Sequence, residues 1–294
     1  MKPILFCFPD DEAFARRLSS HLDVELGQLQ WHRFPDGESL MTLRTGCRDR
    51  DVLVLCSLSK PDIKSMPLYF CATTARELGA KRVSLIAPYL AYMRQDHRFD
   101  PGQSISALSY AEFLSTIFDS LITVDPHLHR IHELESIFSI PAVAISSMPA
   151  VAEWIRANVP NPVLIGPDME SAQWVEQVAS ALNAPCVVLE KTRTGDRNVS
   201  VTNVPSDAVR GRSPVILDDI ASSGHTMAEV LKRLASIGVH DATCVVVHAV
   251  LADGAEASLR AAGAKQVVST NTVPHATNQI DVTALLAAGL KRLS

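Results

Sequence analysis

The sequence predicts an α/β protein of two consecutive domains, each a mainly parallel β-sheet flanked by helices. Three observations support this prediction. Apolar runs of strand length alternate with amphipathic stretches of helix length, which is the pattern of buried parallel strands joined by helical crossovers. The alternation restarts near the middle of the chain, and 294 residues are enough for two domains of ordinary size.

The apolar runs define the predicted strands. They cover residues 4–8, 52–56, 83–87, 121–124 and 141–145 in the first half, and 163–165, 186–189, 215–217, 244–248 and 267–269 in the second. The restart predicts domains at residues 1–146 and 147–294, and a last amphipathic stretch at 282–293 could pack on either one. Ligands of such folds bind at the carboxyl ends of the strands.

Composition narrows the class of partner. The chain has 27 basic and 32 acidic residues, a net charge of -5, and no dense lysine or arginine block, so we expect no nucleic-acid partner. The apolar run at residues 1–8 is too short for a signal sequence or a membrane span, so we expect a cytoplasmic protein with no membrane partner. Six scattered cysteines without a Cys-x-x-Cys pair indicate reduced core thiols, and a catalytic cysteine is a minor alternative.

The strongest chemical signal follows the predicted strand 215–217. Two carboxylates, Asp218 and Asp219, begin a loop of small residues, and a helix is predicted at 227–236. Backbone N–H groups at a helix start favour an anion, and hydroxyl groups add donors. Carboxylates beside an anion site would repel the anion unless they face hydroxyl groups of the ligand or a divalent cation, and a sugar phosphate meets this requirement. The alternative is an ordinary helix N-cap at Ser222 or Ser223 after a solvated acidic turn.

Other polar groups follow other predicted strands. Phe34, Asp36 and Glu38 lie in a turn that could stack an adenine and accept its amino protons, or could be a plain hairpin turn. Arg94 and Gln95 follow a strand end, where an arginine suits polyphosphate or forms a solvated turn. No Gly-x-x-x-x-Gly-Lys-Ser/Thr run occurs, so ATP would be bound without a Walker-type loop.

Three further positions suggest metal or phosphate chemistry. His127 leaves a strand end and offers an imidazole to a metal or a phosphate; His129 and His132 nearby suggest zinc, but no cysteine or carboxylate set completes such a site. Asp168 likewise follows a strand. Lys191 and Arg193 follow the next one, and their alternative interpretation is a solvated turn.

These segments resemble a known family. Residues 215–226 are similar to the phosphoribosyl-pyrophosphate loop of type I phosphoribosyltransferases and of ribose-phosphate pyrophosphokinases. The turn at 34–38, the loop at 92–96 and the step at 125–127 resemble the pyrophosphokinases specifically, as do Asp168 and the segment 191–196. The resemblance covers nearly the whole chain and is closest to the archaeal-type members.

The resemblance implies two phosphoribosyltransferase-like domains and a role for each segment. Asp218 and Asp219 would contact the ribose hydroxyls, and Lys191 and Arg193 would act catalytically on the transferred diphosphate. The 5-phosphate would be lined by Ser222, Ser223, Gly224, His225 and Thr226. ATP would be held by Arg94 and Gln95, with its adenine against Phe34, Asp36 and Glu38 of a neighbouring subunit. His127 and Asp168 would hold magnesium.

The implied activity is that of a ribose-phosphate diphosphokinase, a transferase of nucleotide biosynthesis. It moves the diphosphate of Mg-ATP to the 1-hydroxyl of ribose 5-phosphate and yields phosphoribosyl pyrophosphate and AMP. Mg²⁺ is the expected cofactor, ATP and ribose 5-phosphate are the expected partners, and a homodimer or higher homo-oligomer is expected. Two alternatives stay open: a type I phosphoribosyltransferase that consumes phosphoribosyl pyrophosphate, and a non-catalytic regulatory homologue.

Overall fold

The computed structural model describes residues 1–189, 191–194, 198–201 and 204–292, and for 191–194 and 198–201 it describes the backbone alone. These residues form two compact units. The first contains residues 1–146 and the final helix, and the second contains Ser147–Val282. In the part of the chain just defined, no helix has both the length and the apolar character that a membrane crossing needs.

The first unit is built on a six-stranded parallel sheet with the order β2-β1-β5-β6-β7-β8. Its strands are β1 (Ile4–Cys7), β2 (Glu25–Leu26), β3 (Leu29–Arg33), β4 (Ser39–Leu43), β5 (Asp51–Leu55), β6 (Arg82–Ala87), β7 (Ser120–Val124) and β8 (Ala142–Ile145). Its helices include α1 (Glu12–Ser19), α2 (Pro61–Glu77) and α3 (Ser106–Ile117). The apolar runs are the strands of this sheet because helices cover both of its faces.

An antiparallel hairpin, β3 paired with β4, stands outside that sheet. The apolar pattern does not predict it, because most of its side chains are exposed or half-buried. Trp31 of β3 bonds the opposite strand and packs on the segment after β1: its indole Nε1 donates to Ser39 Oγ at 2.9 Å, and its ring makes an edge contact with Phe8.

The second unit repeats the same plan. Its sheet has the order β10-β9-β13-β14-β15-β16, also parallel throughout. The strands are β9 (Pro162–Gly166), β10 (Cys186–Val188), β11 (Lys191–Thr194), β12 (Asn198–Val201), β13 (Ser213–Ala221), β14 (Ala242–Ala249), β15 (Ala264–Thr270) and β16 (Asn278–Ile280). The helices are α4 (Met148–Asn158), α5 (Ala172–Leu182), α6 (Ser206–Val209), α7 (His225–Ser236) and α8 (Ala255–Ala261).

The two units have the same strand topology. In each, the second strand lies outside the first, an antiparallel hairpin follows, and the remaining four strands add on the other side. The strand order reverses between β1 and β5 in the first unit and between β9 and β13 in the second. Such a reversal point opens the crevice in which α/β folds bind ligands. The predicted α/β class with two parallel-sheet domains is confirmed.

The final helix, α9 (Thr283–Leu290), belongs to the first unit, where it packs beside β7, β8 and α1. Gly289 allows this close approach, since an added Cβ would lie 2.6 Å from Ile145 Cγ2 and 2.9 Å from Ile122 Cδ1. The sequence left open which half this helix joins, because a terminal amphipathic stretch could cover either sheet.

Candidate active site

The paired acids of the second unit lie inside a strand. The sequence predicts a loop that starts at Asp218, but β13 continues to Ala221, which pairs with Ala249 of β14. That prediction was wrong because β14 is buried along its whole length and pairs with β13 as far as Ala249, so the ladder extends past the acids. Successive side chains of a strand point to opposite faces. Asp219 is accordingly 3% exposed, whereas Asp218 is half-buried.

The loop proper is short and ends at Gly224. This glycine is the N-cap of α7 and has a left-handed backbone, with φ 70°. The alternative prediction of an N-cap at Ser222 or Ser223 was therefore wrong, because the N-cap residue is Gly224. An added Cβ on Gly224 would lie 3.2 to 3.4 Å from the side chain of Leu259. Both the backbone angle and the contact favour glycine here.

Hydrogen bonds hold this loop in place. The carbonyl oxygen of Ser222 accepts the N–H of Ala252 at 3.0 Å, and Ser223 Oγ accepts the N–H of His225 at 3.4 Å. His225 and Thr226 are the first two residues of α7, so their backbone N–H groups belong to the helix end that carries partial positive charge. The geometry suits a bound anion such as a phosphate.

Asp168 lies at the end of β9, the strand next to β13. Its Oδ1 accepts the N–H of Glu170 at 3.2 Å, and Ser171 Oγ donates to its carbonyl oxygen at 2.6 Å. Ser171 is fully buried, and Gly166 makes room for it, since an added Cβ would lie 2.6 Å from Ser171 Oγ. The neighbouring strand ends thus bring Asp168 to the same edge of the sheet as Asp218.

Lys191 and Arg193 lie on the hairpin of the second unit. Their backbones are in β11, where Lys191 pairs with Val201 and Arg193 with Val199 of β12. Their side chains fall outside the described part of the structure, as do all of residues 195–197. Their catalytic role stays a prediction.

In the first unit, Arg94 and Gln95 lie in the segment after β6. Both side chains are exposed, whereas Met93 before them is only 2% exposed and anchors the segment. The N–H of Gln95 donates to the carbonyl oxygen of Tyr92 at 3.1 Å, which closes a turn. An exposed arginine at a strand end is free to meet phosphate groups.

Asp96 ties this turn to the loop after β7. Its Oδ2 accepts the N–H of Arg130 at 3.0 Å, and its Oδ1 lies 3.1 Å from Arg130 Nη1 and 2.8 Å from His97 Nδ1. Burial raises the pKa of the Asp96 carboxyl, but hydrogen bonds from His97 and Arg130 outweigh it and hold the pKa below its ordinary value. His127 is half-buried and lies in the same loop as Arg130.

Phe34, Asp36 and Glu38 form the turn of the first hairpin. The N–H of Phe34 donates to Glu38 O at 2.8 Å, and Asp36 Oδ1 accepts the N–H of Glu38 at 3.0 Å. Phe34 is 40% exposed, so its ring is available to a partner. A groove of about 720 Å³ separates this turn from α2. The structure contains the predicted turn, and the contact with an adenine stays a prediction.

The first unit contains a counterpart of the second unit's loop that the sequence did not reveal. After β5, Lys60 is the N-cap of α2 with φ 59°, the same left-handed conformation as Gly224 before α7. Here side chains from α2 and from the segment after β1 bind the loop: Lys64 Nζ donates to Ser57 O at 2.8 Å, and Asp11 Oδ2 accepts the N–H of Ser57 at 2.9 Å. Both side chains are almost fully buried.

Cysteine chemistry and a multidentate metal site find no support in the described residues. Burial is the main cause that raises the pKa of Cys7 to about 11 and that of Cys71 and Cys244 to about 12, so these thiols stay protonated near neutral pH. Within residues 1–189 and 204–292, no three His, Cys, Asp or Glu side chains come together as a metal site would require.

Family models match both units. A model of the N-terminal domain of ribose phosphate pyrophosphokinase matches residues 4–117, and a model of the phosphoribosyl transferase domain matches residues 133–284. The chain is therefore a protein of two phosphoribosyltransferase-type domains, in agreement with the two sheets of equal strand order.

Whole-length relatives make the assignment more specific. The chain is 34% identical over 282 residues to a ribose-phosphate pyrophosphokinase of Methanopyrus kandleri, which covers 95% of each chain. It is 33% identical over 261 residues to that of Saccharolobus solfataricus, with 87% and 88% covered. A crystal structure of phosphoribosylpyrophosphate synthetase from Mycobacterium smegmatis superposes with a TM-score of 0.87 at 25% identity, over 100% of this chain and 99% of that one. The chain belongs to the ribose-phosphate pyrophosphokinase family, and the predicted resemblance is confirmed.

Proposed function

We propose that the chain transfers the diphosphate of Mg-ATP to the 1-hydroxyl of ribose 5-phosphate, which yields phosphoribosyl pyrophosphate and AMP. The observation that carries the proposal is the loop after β13. Gly224 precedes α7, whose first N–H groups would face an anion, and Asp218 lies near the carboxyl end of β13, the strand that leads into this loop. A phosphate and a ring of hydroxyl groups on one small molecule would satisfy both groups.

The ATP side of the proposal rests on the first unit. Arg94 is exposed on a turn that Asp96 fixes to the loop of His127, so a cationic side chain and an imidazole share one edge of the sheet. Phe34 presents an exposed ring on the hairpin. We assign the triphosphate to Arg94 and Gln95, and the adenine to Phe34, Asp36 and Glu38 of a second copy of the chain. This assignment requires a homo-oligomer.

The candidate metal ligands fit magnesium better than a metal whose ligands all come from the protein. Mg²⁺ keeps several waters and binds through one or two carboxylates together with substrate phosphates. Asp168 supplies a carboxylate that a capping box holds at a strand end, and no cluster of three ligands exists in the described residues. When bound, the ion would gather phosphate charge, and we assign Asp168 and His127 to it.

The remaining residues align the reactants and neutralise charge. Ser222, Ser223, Gly224, His225 and Thr226 would anchor the 5-phosphate, while Asp218 and Asp219 would orient the hydroxyl groups. Lys191 and Arg193 would stabilise the charge that develops between the β-phosphorus and its leaving oxygen. Alignment of this kind needs no covalent intermediate. A cytoplasmic location is part of the same proposal.

One assay separates this activity from its alternatives. The purified chain is incubated with Mg-ATP and ribose 5-phosphate, and AMP and phosphoribosyl pyrophosphate are quantified. We expect equal amounts of both products. No AMP above the sugar-free control would contradict the proposal and leave the regulatory alternative, while consumption of phosphoribosyl pyrophosphate with a free base would favour a phosphoribosyltransferase. Sedimentation of the active species tests the oligomer, since an active monomer excludes a shared adenine site.

A further inference from the structure

Tyr92 has a backbone conformation that bulky residues rarely adopt. Its φ is 66°, in the left-handed region. A non-glycine residue there costs free energy and persists only where surrounding contacts hold it. Tyr92 begins the turn that carries Arg94 and Gln95, the residues proposed to hold ATP. The contacts that hold Tyr92 therefore also determine where those side chains lie.

Two contacts hold the Tyr92 side chain. Its hydroxyl donates a hydrogen bond to the carboxylate of Asp62, in the first turn of α2. Its ring packs on that of Tyr110 in α3, with centroids 4.7 Å apart and planes tilted by 57°. The bond to Asp62, followed by burial, raises the pKa of Tyr92 to about 12, so the hydroxyl remains a donor at neutral pH.

Backbone hydrogen bonds connect Tyr92 to Gln95 and to the start of α3. The carbonyl oxygen of Tyr92 accepts the N–H of Gln95 at 3.1 Å, and Gln95 O accepts the N–H of Ala107 at 3.2 Å, at the start of α3. Met93, between them, is buried. The Tyr92 carbonyl thus helps to close the turn that carries Arg94.

We propose that Tyr92 and Asp62 form a positioning pair, which holds the turn of Arg94 and Gln95 in the conformation that binds the phosphates of ATP. The inference rests on the proposed function, because the ATP site is assigned there. Neither residue of the pair is among the groups assigned to ATP. Their effect reaches it through Arg94, so losing the pair should lower the affinity for Mg-ATP and leave that for ribose 5-phosphate unchanged.

The test measures equilibrium binding of Mg-ATP, without the sugar, by isothermal titration calorimetry. Tyr92→Phe removes the hydroxyl but keeps the ring, and Asp62→Ala removes the acceptor. We expect each to raise the dissociation constant about tenfold, and the double variant to be no weaker than either single one. Asp62→Asn keeps an oxygen acceptor and should restore most of the affinity. Ribose 5-phosphate affinity should stay within about twofold.

Tyr110→Phe is the matched control. It also removes a tyrosine hydroxyl from the same ring pair, but that hydroxyl bonds Ser65 Oγ at 3.1 Å instead of Asp62. It should leave Mg-ATP affinity unchanged. Unchanged affinity in both Tyr92→Phe and Asp62→Ala, or losses that add in the double variant, would overturn the pair.

The AMP assay keeps this inference distinct from the proposed function. A chain that makes no AMP but loses Mg-ATP affinity on Tyr92→Phe supports the pair and contradicts the diphosphate transfer. A chain that makes AMP but shows no affinity change supports the transfer and contradicts the pair. A chain that binds no Mg-ATP contradicts both.

Discussion

Gly224 and Leu259 approach so closely that any Cβ at position 224 would lie 3.2 Å from Leu259 Cγ. The contact joins the N-terminus of α7 to α8, which follows β14, and it lies beside the proposed phosphate site. A larger residue would have to displace Leu259 or the loop itself. The first prediction follows from this contact.

Gly224→Ala should weaken ribose 5-phosphate binding at least tenfold and lower the free energy of unfolding of the second unit by about 2 to 4 kcal/mol, from backbone strain and overpacking together. Gly238→Ala is the matched control. Gly238 has φ 75° but nothing within 4 Å of an added Cβ, so it carries the strain without the contact. Calorimetric titration and denaturant unfolding check both variants. Equal losses in the two would remove Leu259 from the explanation.

Asp11 should make the first unit less stable as the pH rises. Burial is the main cause that raises its pKa to about 6, from 3.8 unfolded, and the nearby Lys64 ammonium only partly offsets it. The folded state then binds more protons than the unfolded state between these values, so the stabilisation from Asp11 is fully present below pH 3.8, decreases as the pH rises and is lost above about pH 6. From pH 5 to pH 8 the loss is about 1.4 kcal/mol.

Asp11→Asn should abolish that part of the pH dependence, because the amide oxygen can still accept the N–H of Ser57 but does not titrate. Denaturant unfolding at pH 5 and pH 8 measures the difference between the two chains. Identical pH profiles would show that Asp11 ionises in the folded protein as it does in the unfolded one.

Lys191→Ala should reduce turnover about hundredfold or more, the usual effect of removing one donor to a transition-state charge. Ribose 5-phosphate binding should remain nearly intact, because that ligand is assigned to the loop after β13. Lys265→Ala, which removes an exposed lysine on β15 of the same unit, is the control. A turnover equal to that of the control would exclude Lys191 from the reaction.

Ser171→Ala should raise the Mg²⁺ concentration needed for half-maximal activity several-fold. It removes the hydroxyl that accepts the N–H of Asp168 at 3.5 Å, which is one of the two bonds of the capping box, and that also donates to the Asp168 carbonyl at 2.6 Å. Ser180→Ala, on the exposed face of α5, should change nothing. Activation by Mg²⁺ at saturating sugar and ATP is the measurement. An unaltered Mg²⁺ requirement would mean that Asp168 needs no support from Ser171.

The buried strands were predictable because each is a short apolar run covered on both faces. The runs at 83–87 and 121–124 differ from β6 and β7 by a single residue at the amino end. Edge strands β2 and β16 were not predictable, since they have only two and three residues and much of their surface is exposed. A hairpin turn at 34–38 was one of the two interpretations that the sequence left open, but the strands of both hairpins were not predicted because their positions alternate too weakly in hydrophobicity.

The sequence revealed the candidate site residues, but not the contacts that hold them in place. Asp218 and Asp219 were recognisable as a pair, yet their placement within β13 depends on the length of β14, which lies some thirty residues further along the chain. The bond from Tyr92 to Asp62 joins segments thirty residues apart and leaves no periodic signal. Long-range contacts of this kind can be predicted only once the order of the strands in the sheet is known.

The charges beside the first unit's loop resist its conversion into an anion site: Lys64 Nζ lies 3.4 Å from Asp10 Oδ2, and Asp11 is buried beside Ser57. Loss of the Asp11 charge alone would leave the buried Lys64 ammonium with only Ser57 O, at 2.8 Å, and the Asp10 carboxylate, at 3.4 Å, as partners. An anion-binding loop at this position of the first unit would therefore need several coordinated substitutions. The loops of the two units are therefore not interchangeable, although each precedes a helix at the corresponding point of the repeated fold.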